Sequence, residues 1–489
     1  MPDALLNSTK TVKHDTAVIS WEEVSRAFAP FAGSCLYAIR ADTFFHLALR
    51  ANSPARFVLK NLLYPMALAA RSKGTGIERR PSRTGSFLFV CDYPAEAGFG
   101  SLRPLLRTCP AAATVVVNSA VFAARHRELG DIPGASVLHA DTLPDPDWSG
   151  SWRRAQGDYR ALLAGSSSRL RRLLKASRLV IWALLFRAYR YRNFLEALLA
   201  NAGPAAVITH NDFTSLSYLA GDAARRTGVP DFTLQHGFPS PEYFPTTATH
   251  YLVWGSAAAE YMKQHSPDGP TAYIPVGAPR LDSLASLHER HDEAKNRLQQ
   301  LGLRRPGQLN VLFLSQSHSP LFSPLEHKWV FSVIAALAGE RNLHLMIRRH
   351  PQERSSHFRQ QPGLAHAAIV PASLSLIESV LGSDVVISVN STAMLEAALL
   401  RTPVVQICAS RFGDRIGMLR FPNPVANVES AKETLQELSD PGRRALWLAE
   451  QQAMIETYFG QPGMATQRAW TYIQQISGDS RRLTASAGA

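Results

Sequence analysis

The chain has 489 residues, 46% of them hydrophobic and 19% charged, a balance that excludes a disordered or fibrous chain and exceeds what one hydrophobic core usually organises. A net charge of +13 and a pI near 9.8 point to anionic partners. The four cysteines Cys35, Cys91, Cys109 and Cys408 offer neither a zinc spacing nor a disulfide framework, Met1 to Asp15 lacks the apolar core of a signal peptide, and no apolar run reaches membrane-spanning length.

Residues 1–80 read as a leader, helical in parts, ending in a Gly/Arg/Ser-rich linker from Arg71 to Gly85. Short apolar, β-branched or aromatic runs then recur at Ser86 to Cys91, Ala113 to Val117 and Ala135 to His139. After a basic helical segment over 150–200 they resume at Ala205 to Ile208, Phe232 to Leu234, Tyr251 to Trp254 and Ala272 to Val276. Helix-length stretches separate them, which predicts a parallel sheet covered by helices. Residues 81–300 therefore form a first Rossmann-like domain, closed by a charged helix from Leu284 to Arg305.

A second series at Asn310 to Leu314, Leu343 to Ile347, Ala368 to Val370, Asp384 to Ser388 and Val404 to Ile407 makes 301–476 another parallel α/β domain. Its last segment, Asp440 to Ile476, is helical and placed to pack back across the first domain, and the polar tail 477–489 is expected to be disordered. The fold class is α/β, two tandem Rossmann-like domains with a helical leader and a helical insertion.

Ionisable groups gather where strands stop, which is where open α/β sheets put their chemistry. Thr209-His210-Asn211-Asp212 ends one strand, so His210 and Asp212 are expected in the crevice as proton acceptors, although Asn211 and Asp212 would equally cap the helix from Thr214. Gln235-His236-Gly237 repeats the arrangement, with Gly237 permitting a tight turn beside the imidazole and the prolines of Phe238-Pro239-Ser240-Pro241 delaying the next helix. In the second domain Arg348-Arg349-His350-Pro351 sets cations on a rigid turn, suited to phosphate oxygens or to a solvated basic edge. Ser391-Thr392 opens a helix whose free N–H groups attract an anion, and Glu396 one turn on is placed to accept from ribose or sugar hydroxyls; a plain N-cap with a surface Glu has the same residues. Ser315-Gln316-Ser317-His318 is a further small polar loop on that edge, able to offer backbone N–H groups to a phosphate.

Gly98-Phe99-Gly100 lacks the third glycine of a dinucleotide fingerprint, and Asp145-Pro146-Asp147 reads as a turn and not as a metal motif. No metal and no obligatory cofactor are expected. Arg169 to Arg192 carries basic residues and no acidic one, interleaved with apolar and aromatic side chains. That pattern suits an amphipathic helix on an anionic membrane surface, or a core helix with a solvated basic face; nucleic acid lacks a supporting module.

Gln235-His236-Gly237, Val276-Gly277-Ala278-Pro279-Arg280-Leu281-Asp282, His350-Pro351 and Ser391-Thr392 with Glu396-Ala397 together resemble bacterial surface-polysaccharide transferases of GT-B architecture. These include capsule β-Kdo transferases, sialyltransferase-like enzymes and CDP-glycerol glycerophosphotransferases, and the likeness covers about Ala205 to Ile407. It implies that His350, Ser391 and Thr392 hold the nucleotide phosphate, with Arg348, Ser315, Gln316 and Glu396 in support. It also implies that Asp212, as in CMP-sugar enzymes, or His236, as in glycerophosphotransferases, is the catalytic group, flanked by His210, Gln235 and Gly237. The expected activity is transfer of a sugar, favoured as Kdo or a sialic-acid-like sugar from a CMP-sugar, to a lipid-linked or surface glycan. The expected location is the cytoplasmic face of the inner membrane, with the protein peripheral to it. Glycerophosphate transfer from CDP-glycerol, sugar-nucleotide 2-epimerisation and a non-catalytic membrane scaffold are the alternatives.

Overall fold

The computed structural model describes residues 21–52, 85–94, 98–142, 147–237, 239, 243–267, 269, 271–316, 324–350, 353, 358, 361, 363–365, 367–389, 391–408 and 421–487. Most of the leader, the linker over 71–84, Phe238, Ser240-Pro241, Ser317-His318 and Pro351 lie outside them.

Three helices open the described chain: α1 (Trp21–Phe28), α2 (Cys35–Ala38) and α3 (Arg40–Asn52). The first lobe follows as β1 (Phe87–Cys91), α4 (Phe99–Arg107), β2 (Ala113–Val117), α5 (Ser119–Gly130), β3 (Ala135–His139), α6 (Trp148–Gly165), α7 (Ser168–Ala176), α8 (Arg178–Ala202), β4 (Ala206–Thr209), α9 (Ser215–Thr227), β5 (Asp231–Leu234), β6 (His250–Val253), α10 (Ser256–His265) and β7 (Ala272–Pro275). A 3₁₀ turn at Pro279–Leu284 leads to α11 (His291–Gln300) and the second lobe: β8 (Leu309–Leu314), α12 (Pro324–Ala338), β9 (Leu343–Arg348), β10 (Ala368–Ile369), α13 (Leu376–Leu381), β11 (Val385–Ser388), α14 (Ala393–Leu399) and β12 (Val404–Gln406). Helices α15 (Val428–Glu437), α16 (Pro441–Phe459) and α17 (Ala465–Ala487) end the chain.

The first sheet has the order β3-β2-β1-β4-β5-β6-β7 and the second β10-β9-β8-β11-β12, every pairing parallel. Both faces of each sheet are covered, which is why the strands read as continuous apolar runs. Phe87 and Phe89 meet Trp470 of α17 on one face, while Leu88 and Val90 share the core on the other face with Leu184, Leu195 and Leu216. Strand order reverses between β1 and β4 and between β8 and β11, the switch points where such sheets open a ligand crevice.

The C-terminal segment crosses between lobes. Gln451 of α16 bonds Val404 N and Thr402 O in the second lobe, and α17 then docks on the first through Val276 to Asp282. Asp282 accepts from Ala465 N (2.9 Å), Thr466 N (2.8 Å) and Thr466 Oγ1 (2.6 Å), capping α17 from a distant part of the chain. Gly277 has φ +92°, and a Cβ there would lie 2.7 Å from both Ala465 Cβ and Arg468 Nη2.

Three expectations are corrected. The charged helix is shorter, and α11 packs on the second lobe, with Leu298 against Gly382 and the His291 ring nitrogens 2.9 Å from the Leu381 and Leu400 carbonyl oxygens. Helix α17 runs on to Ala487, into the segment 477–489 expected to be disordered. Most apolar residues of Arg169 to Arg192 belong to the first lobe's core and not to a surface stripe: Leu170, Leu174, Val180, Ile181, Leu184, Leu185, Tyr189 and Tyr191 are buried, while Leu179 is exposed. A helix apolar on more than one face is an interior helix, and α8 is one. Among the described residues no helix is long and apolar enough to cross a membrane.

Candidate functional site

His236 follows β5, and its half-buried imidazole is held on both nitrogens. Nδ1 lies 2.8 Å from the His210 carbonyl oxygen, which can only accept, so Nδ1 carries the proton. Nε2 is then the lone-pair nitrogen, and it accepts from the Tyr243 hydroxyl at 2.9 Å. Tyr243 also stacks on the imidazole, ring centroids 5.2 Å apart. Burial, then the neighbouring His210 ring and the Arg280 guanidinium, pushes the His236 imidazole down to about 3, so it is neutral at pH 7.

The other strand-end groups are more deeply placed. His210 is fully buried, pushed down to about 4 by burial, and takes a hydrogen bond from the Asn211 amide at 2.8 Å. Asn211 also closes the turn into α9, accepting from Phe213 N, Thr214 N and Thr214 Oγ1. Asp212 neither caps that helix nor opens into a crevice. The connector from Tyr243 to Thr249 passes over it, and its Oδ2 accepts from Thr247 N (2.5 Å), Ala248 N (3.1 Å) and Thr247 Oγ1 (3.2 Å). Burial raises its carboxyl against those bonds and the charge of Arg40, a fully buried guanidinium of α3 that lies 4.0 Å over the Tyr37 ring. Asp92, after β1, is likewise raised by burial and bonds Ser217 N and Oγ.

Gln235 is a brace: its side chain donates to Gly237 O and accepts from Trp254 N, and its carbonyl accepts from the Trp254 indole. Gly237 is not required by a left-handed turn, for its φ is not positive, and among the described residues a Cβ would meet the Tyr243 hydroxyl at an ordinary 3.4 Å.

Across the lobe boundary Arg348 ends β9, and its Nη1 donates to Leu374 O (2.7 Å) and Ser379 Oγ (3.0 Å). Burial lowers its guanidinium, opposed by Glu378 and Glu396. His350 is half-buried and lowered by burial, and its backbone N–H donates to Glu353 at 2.9 Å. Ser315 donates to the same carboxylate at 2.5 Å, so Glu353 pins the β8 and β9 loops together. Burial alone would raise Glu353, but His327, Ser315 and the His350 N–H hold it below the usual carboxylate range. Gln316 and the partly exposed Ser391 and Thr392 lie at the same C-terminal edge, Ser391 Oγ accepting from Ala393 N at 3.3 Å. Glu396 is paired with Arg280 at 2.9 Å.

The structure thus brings His236, His210 and Gln235 into one cluster and Ser315, Arg348 and His350 into another, and sets Asp212 beneath the first. Sequence reasoning attaches no role to Tyr243, Glu353, Arg40 or Arg280. Only Arg280 carries a signal, as part of the Val276 to Asp282 string. Among the described residues no three His, Cys, Asp or Glu side chains gather as a metal site.

No protein-family model matches the chain, and no curated protein matches its sequence. Solved structures match its fold. A UDP-GlcNAc 2-epimerase from Neisseria meningitidis, bound to UDP-GlcNAc, is similar at TM-score 0.50 and 14% identity, over 80% of this chain and 100% of its own. A glycosyltransferase from Rickettsia africae is similar at 0.51 and 11%, over 81% and 99%. The wall teichoic acid polymerase TagF covers 90% and 97% at 11% identity and TM-score 0.46. At such identities the likeness concerns the fold alone. The chain has the two-lobed, parallel-sheet α/β architecture of the GT-B kind.

Proposed function

We propose that this chain is a transferase that moves a sugar from a nucleotide donor onto a hydroxyl of a lipid-linked or surface glycan, the resemblance at His350 and Ser391-Thr392 favouring a CMP-sugar of the Kdo or sialic-acid kind. The observation that carries the reading of a transferase is His236, which serves either donor, while the preference for a CMP-sugar rests on the resemblance at His350 and Ser391-Thr392 alone. A neutral imidazole with Nδ1–H tied to a carbonyl and Nε2 facing a hydroxyl is set as a general base. The acceptor hydroxyl would replace Tyr243 at Nε2 and lose its proton there as the new bond to the donor forms. Ser315, Gln316, Arg348, His350, Ser391 and Thr392 lie at strand ends of the second lobe, where such sheets bind ligands, and would meet the charge on the departing phosphate. Asp212, covered by the connector, serves as a structural clamp in this reading.

Glycerophosphate transfer from CDP-glycerol is the second reading, favoured by the same observation, since the base is then a histidine and not a carboxylate. Radiolabelled CMP-sugars, CDP-glycerol and UDP-GlcNAc offered with a lipid-linked glycan distinguish them. Label reaching the lipid from a CMP-sugar supports the leading proposal, and label from CDP-glycerol the second. Isomerisation of UDP-GlcNAc without acceptor would sink both, and activity unaffected by His236→Gln would remove the base.

A further inference from the structure

Arg280, in the 3₁₀ turn after β7, and Glu396, on α14, form an ion pair that joins one lobe to the other. The contact is 2.9 Å and the side chains keep 11% and 16% of their exposure, so the pair is largely desolvated. Among the described residues, however, the buried Arg280 Nε has no hydrogen-bond partner. A buried donor with no acceptor is unfavourable, and such a group calls for a functional explanation.

The placement of the pair follows from the topology. Arg280 lies in the turn that follows β7, at the C-terminal edge of the first sheet, and Glu396 lies in the first turn of α14, which follows β11 at the C-terminal edge of the second. Arg348 Nη1 is committed to Leu374 O and Ser379 Oγ, and Arg349 Nη1 to Glu353 O. Arg280 differs in that its partner is an anion on the opposite lobe, exchangeable for another anion of matching geometry.

We propose that Arg280 is a phosphate-binding residue of the donor site and that Glu396 holds it in reserve, the incoming donor phosphate taking the guanidinium and releasing the carboxylate. The proposal rests on reading the lobe boundary as a nucleotide-donor site. Carboxylate and phosphate oxygens fit the same planar fork, and the more highly charged phosphate wins the exchange.

Calorimetric titration of the full-length protein with inorganic pyrophosphate at low salt tests this, with melting curves for each variant. Arg280→Met should weaken binding by about tenfold or more, as expected for loss of a charged hydrogen bond. Arg280→Lys, which keeps the charge and loses the fork, should fall between, and Glu396→Gln should tighten binding several-fold by removing the competing anion. Wild-type affinity in Arg280→Met, or weakening in Glu396→Gln equal to that in Arg280→Met, overturns the proposal. Should Arg280→Met fail to fold, Arg280→Lys and Glu396→Gln decide it. A wild-type protein that binds neither pyrophosphate nor any of CMP, CDP, UDP and GDP removes the donor-site reading itself. Pyrophosphate bound equally by wild type and Arg280→Met removes only the role of Arg280.

Discussion

His236 Nδ1 lies 2.8 Å from the carbonyl oxygen of His210, and that contact decides which imidazole nitrogen holds the proton. His236→Gln should lower transfer by about 10²- to 10⁴-fold, the range for loss of a general base, with an unchanged melting temperature. Tyr243→Phe, which leaves Nε2 without its donor but keeps the stacked ring, should lower it less. Initial rates with radiolabelled donor measure both, and a His236→Gln rate within threefold of wild type would remove His236 from the chemistry.

Asp212 separates a catalytic carboxylate from a structural one. Asp212→Asn keeps an oxygen for Thr247 N and Ala248 N and should retain activity. Asp212→Ala leaves buried N–H groups unpaired and should destabilise the chain by about 1–3 kcal/mol. Urea unfolding and rate measurements on the two variants test this, and a dead but stable Asp212→Asn would restore Asp212 as the catalytic group.

The pH dependence of stability follows from His236 and His210, pushed down to about 3 and about 4. Between those values and the unfolded pKa near 6.5 the unfolded chain binds more protons, so their contribution is complete above about 6.5 and is lost as pH falls. Asp92 and Asp212, raised by burial, act oppositely. The stability of wild type relative to His236→Gln should therefore fall from pH 7.5 to pH 4.5, and a difference in denaturant midpoint that does not change with pH would refute the assignment.

Gly277→Ala should be strongly destabilising, because the residue has φ +92° and its Cβ would meet Ala465 and Arg468 at 2.7 Å. Left-handed backbone alone costs an L-residue about 1–2 kcal/mol, and the overlap adds to it. Asp282→Ala removes the α17 cap at about 0.5–2 kcal/mol. Thermal melts should rank them in that order.

With α8 internal, membrane attraction by this segment falls to its exposed basic residues, among them Arg172, Lys175 and Arg178, beside Leu179 at 52% and Trp148 at 57% exposure. Neutralising the three should abolish sedimentation with anionic liposomes at low salt and leave melting unchanged. Wild type that fails to sediment under those conditions disposes of the membrane partner.

Strands such as Ala113–Val117 and Val385–Ser388 were legible because buried parallel strands need unbroken β-branched runs, and the chain breaks those runs with polar residues at their ends. That alone determined the α/β class, the two sheets and the strand-end positions of His210, His236, Arg348 and Ser391. Local pattern could not tell which of those side chains are covered. The tertiary structure decided that the Tyr243 to Thr249 connector closes over Asp212 and that the core takes the apolar residues of the basic segment. It also brought Arg280 to Glu396 across 116 residues of chain. Each of these depends on contacts between distant segments, and propensity and periodicity carry no information about such contacts.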